Sequence, residues 1–282
     1  MKLIDGKAIS AQIRAELTEK TNTLKAERGI VPGLTVIIVG DDPASTIYVR
    51  NKARACDELG FASEVIRLPA DTKQQELEAV IDRLNADEKV DGILVQLPLP
   101  KGLDAKPLLL RISPEKDVDA FHPYNVGRIS TGDYGFLPCT PAGVMELITR
   151  SGIEIEGKKC VVIGRSNIVG KPMAMLLLNA GGTVTVCHSK TKDLAEVTRS
   201  ADILVSAVGK ADFVTADMVS EGAVVIDVGM NRNAEGKLCG DVAFDEVAPK
   251  CSYITPVPGG VGPMTITMLM RNTLYAAENN RK

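Results

Sequence analysis

A tyrosine and a lysine lie four residues apart in a segment that follows a predicted strand. This spacing places Tyr48 and Lys52 on one face of a helix predicted near residues 44–59. Such a pair can hold a flat ring and move protons if the lysine pKa, about 10.4 in model peptides, is lowered by burial or neighbouring charge. The alternative is a solvated lysine whose stem covers an aromatic ring. Spacing alone leaves both interpretations open.

Two further segments place unusual residues next to apolar runs. Gln96 interrupts the apolar run at residues 93–97, and a buried amide must find hydrogen-bond partners. It either faces a ligand or bonds a neighbouring loop. At residues 256–265, prolines stiffen the chain and glycines clear side chains from it before a helix start. This segment either lies against a flat ligand or forms an interdomain hinge.

An apolar run at residues 161–163 leads into a turn bounded by Gly164 and Gly170. Glycine lets a ligand approach the backbone, and the free N–H groups of the next helix's first turn attract an anion. The dinucleotide fingerprint is only partly matched, because Ser166 stands where its second glycine normally sits. The turn predicts a nucleotide cofactor; the alternative is a tight turn in a non-binding domain.

The next predicted strand, residues 183–187, indicates which cofactor binds. NAD-binding domains usually place Asp or Glu about 20 residues past the glycines, where it accepts the ribose hydroxyl. Residues 187–192 contain no carboxylate, but they contain hydroxyls together with Lys190 and Lys192. Arg165 could supply a forked donor to an additional phosphate. The sequence therefore predicts NADP rather than NAD, unless the two lysines only solubilise a loop.

Strands and helices alternate along both halves of the chain, which predicts the α/β class. An amphipathic helix carrying Ile9, Ile13 and Leu17 comes first. The predicted strands then cover residues 34–39, 62–68, 92–97, 161–163, 183–187, 203–208 and 223–228, with helices near 44–59 and 74–86 in the first half. Residues 113–135 show no clear period and are predicted to cross between two lobes. A last helix is predicted to begin near Met264.

These elements predict two α/β lobes, the C-terminal one a Rossmann-type parallel sheet, with the substrate in an interdomain cleft. The predicted domains are residues 1–120 plus 264–282, and residues 121–263. The 282-residue chain has a formal charge of −3, with 33 basic and 36 acidic residues, and no run of five basic residues. This balance favours a small-molecule partner and excludes an electrostatic footprint for nucleic acid.

The remaining composition points to a cytoplasmic protein. No apolar signal core is present near Met1, and no apolar run approaches the roughly 18 residues of a membrane span. The six cysteines form no C-x-x-C pair, and His122 and His188 lie in different regions. We therefore expect no metal site and no disulfide framework.

Taken in order, five segments resemble the bifunctional methylenetetrahydrofolate dehydrogenases/methenyltetrahydrofolate cyclohydrolases of one-carbon metabolism. The segments are residues 48–52, 91–100, 116–122, 164–172 and 256–265. The resemblance runs nearly end to end, and it implies two reactions at one site. Hydride passes from the methylene carbon of the folate to NADP, and water then opens the methenyl cation to formyltetrahydrofolate. A homodimer formed through the cofactor lobe is also implied.

The resemblance assigns roles to individual residues. Lys52 is implied to transfer the proton of the cyclohydrolase step, and Gln96 to bond near it and tune it. Tyr48 is implied to position the folate, and Asp119 to hold the amino edge of the pterin. Further substrate contacts are implied for Val49, Val95, Leu97, Pro258, Gly259, Gly260, Val261 and Gly262. Cofactor contacts are implied for Gly164, Arg165, Ser166, Ser189 and Met230.

By the same resemblance, residues 1–120 plus 264–282 bind the folate and residues 121–263 bind NADP. One residue departs from the commoner pattern: Ala120 follows Asp119 where glycine is usual, so a positive φ there would be strained. Two other functions stay open. They are a monofunctional NAD(P)-dependent dehydrogenase acting on another small substrate, and a non-catalytic nucleotide sensor.

Overall fold

The computed structural model describes residues 1–233 and 235–281. Within these ranges the strands are β1 (Lys2–Leu3), β2 (Gly33–Val39), β3 (Ala62–Leu68), β4 (Gly92–Val95), β5 (Lys159–Ile163), β6 (Thr183–Cys187), β7 (Ile203–Ser206), β8 (Val224–Asp227), β9 (Asn231–Arg232), β10 (Leu238–Cys239) and β11 (Tyr253–Ile254). The helices are α1 (Gly6–Arg28), α2 (Pro43–Leu59), α3 (Gln74–Ala86), α4 (Ala105–Arg111), α5 (Pro123–Thr131), α6 (Cys139–Arg150), α7 (Gly170–Asn179), α8 (Leu194–Arg199), α9 (Phe244–Val247) and α10 (Val261–Asn280). None of the helices within these ranges is long and apolar enough to cross a membrane.

The chain divides into two compact units, which we name by their sheets. The six-stranded unit comprises Met1–Ala11 and Pro138–Thr265, and the three-stranded unit comprises Gln12–Leu137 and Ile266–Lys282. This division differs from the predicted boundaries at the N-terminus, because β1 pairs in parallel with β11. It also differs at residues 121–137, where Phe136 packs edge-to-face on Tyr275 with ring centroids 5.6 Å apart.

The three-stranded unit is built on a parallel sheet with the order β3-β2-β4. β2 is buried along its whole length, because it is the central strand and both of its faces are covered. The apolar side chains of α3 recur at helical spacing, and Leu77, Ile81 and Leu84 lie in one core cluster with residues of β2 and β4. The predicted helical period over residues 74–86 is confirmed.

The six-stranded unit contains a sheet with the order β1-β11-β8-β7-β5-β6, and all its pairs are parallel. The predicted α/β fold with a parallel Rossmann-type sheet is confirmed. The strands β5, β7 and β8 are the centre of this sheet, and their apolar residues form its core. Because these strands are parallel, their carboxyl ends lie at one edge, which is where ligands bind in open α/β sheets.

Several predicted boundaries were wrong by a few residues. β4 ends at Val95 and not at residue 97. Pro98 follows shortly afterwards and has no N–H to donate to a neighbouring strand. β7 ends at Ser206 rather than residue 208, β8 covers a shorter span than 223–228, and α10 begins at Val261. Residues 113–135 also contain α5, which has Pro123 in its first turn and a left-handed C-cap at Gly132.

Candidate active site

The three-stranded unit brings Lys52 and Gln96 together although they are 44 residues apart in sequence. Lys52 lies on α2, which follows β2, and Gln96 lies just past β4, the strand beside β2. The Gln96 backbone N–H donates to the Ile37 carbonyl at 2.8 Å, which fixes this turn against β2. The Lys52 Nζ then donates to the Gln96 Oε1 at 2.9 Å. The Gln96 amide, which the sequence analysis expected to need a hydrogen-bond partner, therefore has Lys52 as one partner.

The orientation of the Gln96 amide follows from its second hydrogen bond. Its Nε2 donates to the Leu97 carbonyl at 2.7 Å, so the oxygen of the amide faces Lys52. A neutral amide oxygen accepts a hydrogen bond from an amine without adding a negative charge beside it. A carboxylate at this position would instead favour the charged ammonium form. The pair therefore suits an amine that gives up and regains a proton.

Tyr48 lies one helical turn before Lys52, and this spacing places the two on one face of α2. The start of the helix is fixed by its cap. The Asp42 carboxylate caps the helix by accepting from the Ser45 N–H at 2.7 Å, and Pro43 occupies the first turn. Tyr48 is 40% exposed, whereas Val49 points into the core and is 1% exposed. Tyr48 therefore presents a surface for a ligand ring, and the substrate contact of Val49 stays a prediction.

Asp119 lies in a loop held by buried polar groups. The Asp117 Oδ2 accepts from the His122 N–H at 2.8 Å and from the Asn125 Nδ2 at 2.9 Å. On the other side, the Asn272 Nδ2 donates to the Val118 carbonyl at 2.8 Å. Burial raises the pKa of the Asp117 carboxyl, while the Asn125 hydrogen bond acts in the opposite direction. These contacts fix the backbone on both sides of Asp119, which is itself half-buried.

In the six-stranded unit, the turn after β5 runs close to the backbone of the loop after β7 and carries the exposed Arg165. Gly164 has a φ of 126°, and a Cβ there would lie 2.4 Å from the Ala207 carbonyl oxygen, so no side chain fits. The Ser166 hydroxyl accepts from the N–H groups of Val169 and Gly170, each at 3.2 Å, at the start of α7. Arg165 is exposed and forms no ion pair within residues 1–233 and 235–281. The turn therefore suits a phosphate-bearing cofactor.

The loop after β6 lies beside this turn. The Gly164 N–H donates to the Cys187 carbonyl at 2.9 Å, and the exposed Ser189 follows two residues later. No Asp or Glu lies between Cys187 and Lys192, so a ribose hydroxyl would meet no carboxylate from this stretch. The residue types in this loop are compatible with the extra phosphate of NADP.

Two more predicted contact residues meet within the six-stranded unit. Met230 follows β8 and is 50% exposed. A Cβ on Gly262 would lie 3.3 Å from the Met230 Cε, so Gly262, at the end of the segment 258–262, approaches the Met230 side chain. The role of this segment in substrate binding stays a prediction, as do those of Val95 and Leu97, which flank Gln96 in the other unit.

Comparisons with known proteins match both units to one family. Residues 4–119 match the model of the tetrahydrofolate dehydrogenase/cyclohydrolase catalytic domain, and residues 138–281 match that of its NAD(P)-binding domain. The chain belongs to the tetrahydrofolate dehydrogenase/cyclohydrolase family. The predicted resemblance is therefore confirmed over nearly the whole chain.

Individual relatives agree with this family. The bifunctional protein FolD of Moorella thermoacetica is 60% identical over 276 residues, covering 98% of both chains. The crystal structure of the bifunctional FolD enzyme from Campylobacter jejuni has a TM-score of 0.97 and 55% identity, covering 100% of both chains. The FolD of Trypanosoma brucei, solved with NADP and an inhibitor, has a TM-score of 0.93 and 44% identity, covering 99% of this chain and 97% of that one.

Ala120, predicted to be strained if its φ is positive, takes that backbone conformation. Ala120 has a φ of 57°, in the left-handed region, and is fully buried. A left-handed conformation costs a residue with a Cβ about 1–2 kcal/mol relative to the right-handed one. The Ala120 N–H nevertheless donates to the Asp117 carbonyl at 2.9 Å. This hydrogen bond closes the turn from Asp117 to Ala120, next to Asp119.

Sequence reasoning missed the polar residues that support these loops. Asp117 lies within the segment at residues 116–122 but has no predicted role, and neither Asn125 nor Asn272 is among the predicted site residues. Each of the three is nearly fully buried and hydrogen-bonded to a loop that carries a predicted site residue. The signal available in the sequence was a charged or amide residue next to apolar neighbours. Such a residue is expected to be buried, and a buried polar group needs hydrogen-bond partners.

Proposed function

We propose that this protein oxidises methylenetetrahydrofolate to methenyltetrahydrofolate with NADP and then hydrolyses the product to formyltetrahydrofolate. The observation that carries the proposal is the Lys52–Gln96 hydrogen bond, at 2.9 Å, in a chain that also contains an NAD(P)-binding domain of the same family. The dehydrogenase needs the cofactor domain. The hydrolysis needs a group that moves a proton, and Lys52 is that group.

The residues of the three-stranded unit bind the folate and transfer its protons. Lys52 removes a proton from the water that adds to the methenyl carbon, and returns a proton to the ring nitrogen as the carbon–nitrogen bond breaks. Gln96 holds the amine by its oxygen, and Tyr48 orients the folate ring. The Asp119 carboxylate accepts hydrogen bonds from the amino edge of the pterin, because a carboxylate can take two parallel N–H donors.

The residues of the six-stranded unit hold the cofactor. NADP, when bound, accepts hydride from the methylene carbon. Gly164 and Ser166 offer a backbone turn and a hydroxyl for its phosphates, and Arg165 with Ser189 engages the phosphate that distinguishes NADP from NAD. Met230 contacts the cofactor from the end of β8. We assign NADP binding to this unit and folate chemistry to the three-stranded unit.

An assay with methylenetetrahydrofolate and NADP tests the proposed function. We expect the absorbance of the reduced cofactor to rise and the absorbance of the methenyl intermediate to decay through hydrolysis. Cofactor reduction without hydrolysis would support a monofunctional dehydrogenase instead. NADP binding without either reaction would support a nucleotide sensor.

Replacing Gln96 with glutamate tests whether the neutral amide keeps the Lys52 amine able to exchange a proton. A carboxylate at this position favours the ammonium form of the lysine, so hydrolysis should fall at neutral pH. We expect its pH profile to move upward by about one unit or more, as an opposite charge in contact usually produces. Gln96→Met serves as the control, since it removes the acceptor without adding charge. An unchanged pH profile in Gln96→Glu would contradict the assigned role.

We also propose a homodimer that pairs through β6. This strand forms one edge of the six-stranded sheet, and an exposed edge is a template for pairing with another chain. Two apolar side chains support the proposal: Val186 on β6 is 38% exposed and Leu178 at the end of α7 is 52% exposed. The dimer would cover both.

Analytical ultracentrifugation of Val186→Lys tests the proposed dimer. We expect the wild-type chain to sediment as a dimer and the variant to shift towards monomer, because a charged edge side chain opposes pairing. Leu238→Lys is the matched control, since Leu238 is 45% exposed but lies on the β9–β10 hairpin. A monomeric wild type, or equal dimerisation of all three proteins, would contradict this interface.

We propose a cytoplasmic location for the enzyme. All six cysteines are free thiols, and proteins of oxidising compartments more often pair theirs. Burial raises the pKa of the Cys56, Cys160 and Cys251 thiols to about 11, which keeps them protonated and unreactive.

A further inference from the structure

Two buried carboxylates lie at the ligand-binding edge of the six-stranded sheet, and the proposed reaction does not use them. Asp227 is the last residue of β8, and Asp241 follows β10. They are 3% and 0% exposed, respectively. Burying a carboxylate is costly unless hydrogen bonds satisfy it. Their partners therefore indicate what these residues stabilise.

Asp241 joins the loops that follow two neighbouring strands. Its Oδ2 accepts from the Ser206 hydroxyl at 3.1 Å and from the Val208 N–H at 2.7 Å, just past β7. Its Oδ1 accepts from the Lys210 N–H at 3.0 Å and from the Asn231 Nδ2 at 2.9 Å. One carboxylate thus fixes the loop after β7 and the residue that follows Met230.

Asp227 holds Asp241 in place. Its Oδ1 accepts from the N–H groups of Gly229 and Asp241 at 2.8 and 2.9 Å, and its Oδ2 accepts from the Val242 N–H at 2.9 Å. Burial raises the pKa of Asp227 to about 6, although these backbone donors act to lower it. Gly240 permits the approach, because a Cβ there would lie 1.8 Å from the Asp227 Oδ2.

The loops fixed by this network border the glycine turn. β7 lies between β8 and β5 in the sheet. The Ala207 N–H donates to the Ile163 carbonyl at 2.8 Å, directly before Gly164. Val208 and Lys210, which Asp241 binds, follow Ala207 within three residues. The same carboxylate binds Asn231, next to Met230. The network therefore supports two segments that border the proposed cofactor site, the loop after β7 and the residues around Met230.

We propose that Asp241 is a positioning residue for NADP: through Asn231 and the Val208–Lys210 backbone it holds Met230 and the loop after β7 in the conformation that binds the cofactor. This inference rests on the proposed function of the six-stranded unit. A loop held in its binding conformation before the ligand arrives does not lose that ordering free energy on binding. Loss of the network should therefore weaken NADP binding more than it affects folate hydrolysis.

Asn231→Ala tests this proposal because it removes one tether and leaves the two carboxylates in place. We expect calorimetry to show NADP affinity reduced about tenfold. The KM for NADP should rise to match, while the dehydrogenase kcat at saturating NADP and the hydrolysis of added methenyltetrahydrofolate stay unchanged. Asn233→Ala is the matched control, since Asn233 caps the β9–β10 turn through the Lys237 N–H and does not touch Asp241. Its NADP affinity should equal that of the wild type.

Asp241→Asn provides a stronger second variant. An asparagine has one acceptor oxygen, so its amide nitrogen would face a donor on one of the two loops. We expect a larger loss of NADP affinity, with methenyl hydrolysis again retained. Unchanged affinity in Asn231→Ala, or loss of affinity and hydrolysis in parallel with the thermal midpoint, would overturn the positioning role. A wild-type chain that binds no NADP would overturn the proposed function and this inference together.

Discussion

We expect that replacing Lys52 with methionine removes nearly all hydrolysis of methenyltetrahydrofolate and leaves a folded protein that still binds NADP. Methionine keeps an unbranched, apolar stem as far as the ε position, and it is a good helix former, so α2 should be retained. What it loses is the Nζ that donates to the Gln96 Oε1 at 2.9 Å. General acid–base groups contribute about 10²–10⁴-fold to a rate, so we expect hydrolysis to fall by about 10³-fold.

The measurement for Lys52→Met compares the decay of methenyl absorbance with the calorimetric affinity for NADP. Affinity should be retained, because Gly164, Arg165 and Ser166 belong to the other compact unit. Lys25→Met, at an exposed position near the end of α1, controls for loss of a positive charge. Hydrolysis at the normal rate in Lys52→Met would show that another group carries the proton.

The second large effect is expected at Arg165. Arg165→Ala should weaken NADP binding about tenfold to a hundredfold, because hydrogen bonds to charged groups contribute about 1.5–3 kcal/mol each. Affinity for NAD should change little, because NAD lacks the phosphate that the guanidinium is proposed to contact. The quantity to measure is therefore the affinity for NADP divided by the affinity for NAD, and this ratio should fall in Arg165→Ala.

A matched arginine variant makes the Arg165 experiment specific. Arg199 is exposed at the end of α8 in the same unit, and its Nη1 donates to the Asp217 carbonyl at 2.6 Å. Arg199→Ala should keep the wild-type preference for NADP over NAD. An equal preference in the wild type and in Arg165→Ala would remove Arg165 from the phosphate site.

The sequence was sufficient for elements whose signal is local. The i, i+4, i+7 spacing of Leu77, Ile81 and Leu84 agrees with the predicted helix α3, and apolar runs predicted the three strands of the smaller sheet and β5 to β8 of the larger one. The two-residue strands β1 and β11 were not predicted, because they are too short to show a pattern. The strand ends were harder to place, because an apolar side chain after a strand, such as Leu97, has the same local pattern as one within it. α5 was missed because its signal lies in its caps and not in a hydrophobic period.

The sequence was less informative where a residue's partner is distant along the chain. The choice between a ligand and a loop for Gln96 depended on Lys52, and only the pairing of β2 with β4 brings them close. The same holds for Asp241, whose partners range from Ser206 to Asn231. A buried polar group can be suspected from its apolar neighbours, but its partners follow only from strand order and register.

A crystal structure with a bound folate analogue tests whether the Lys52 amine acts directly on the folate. We predict that a water next to the analogue's reacting carbon lies about 2.6–3.2 Å from the Lys52 Nζ. We also predict that the analogue's pterin amino group donates to the Asp119 carboxylate. An analogue bound far from the Lys52 Nζ would show that this amine is not the proton-transfer group.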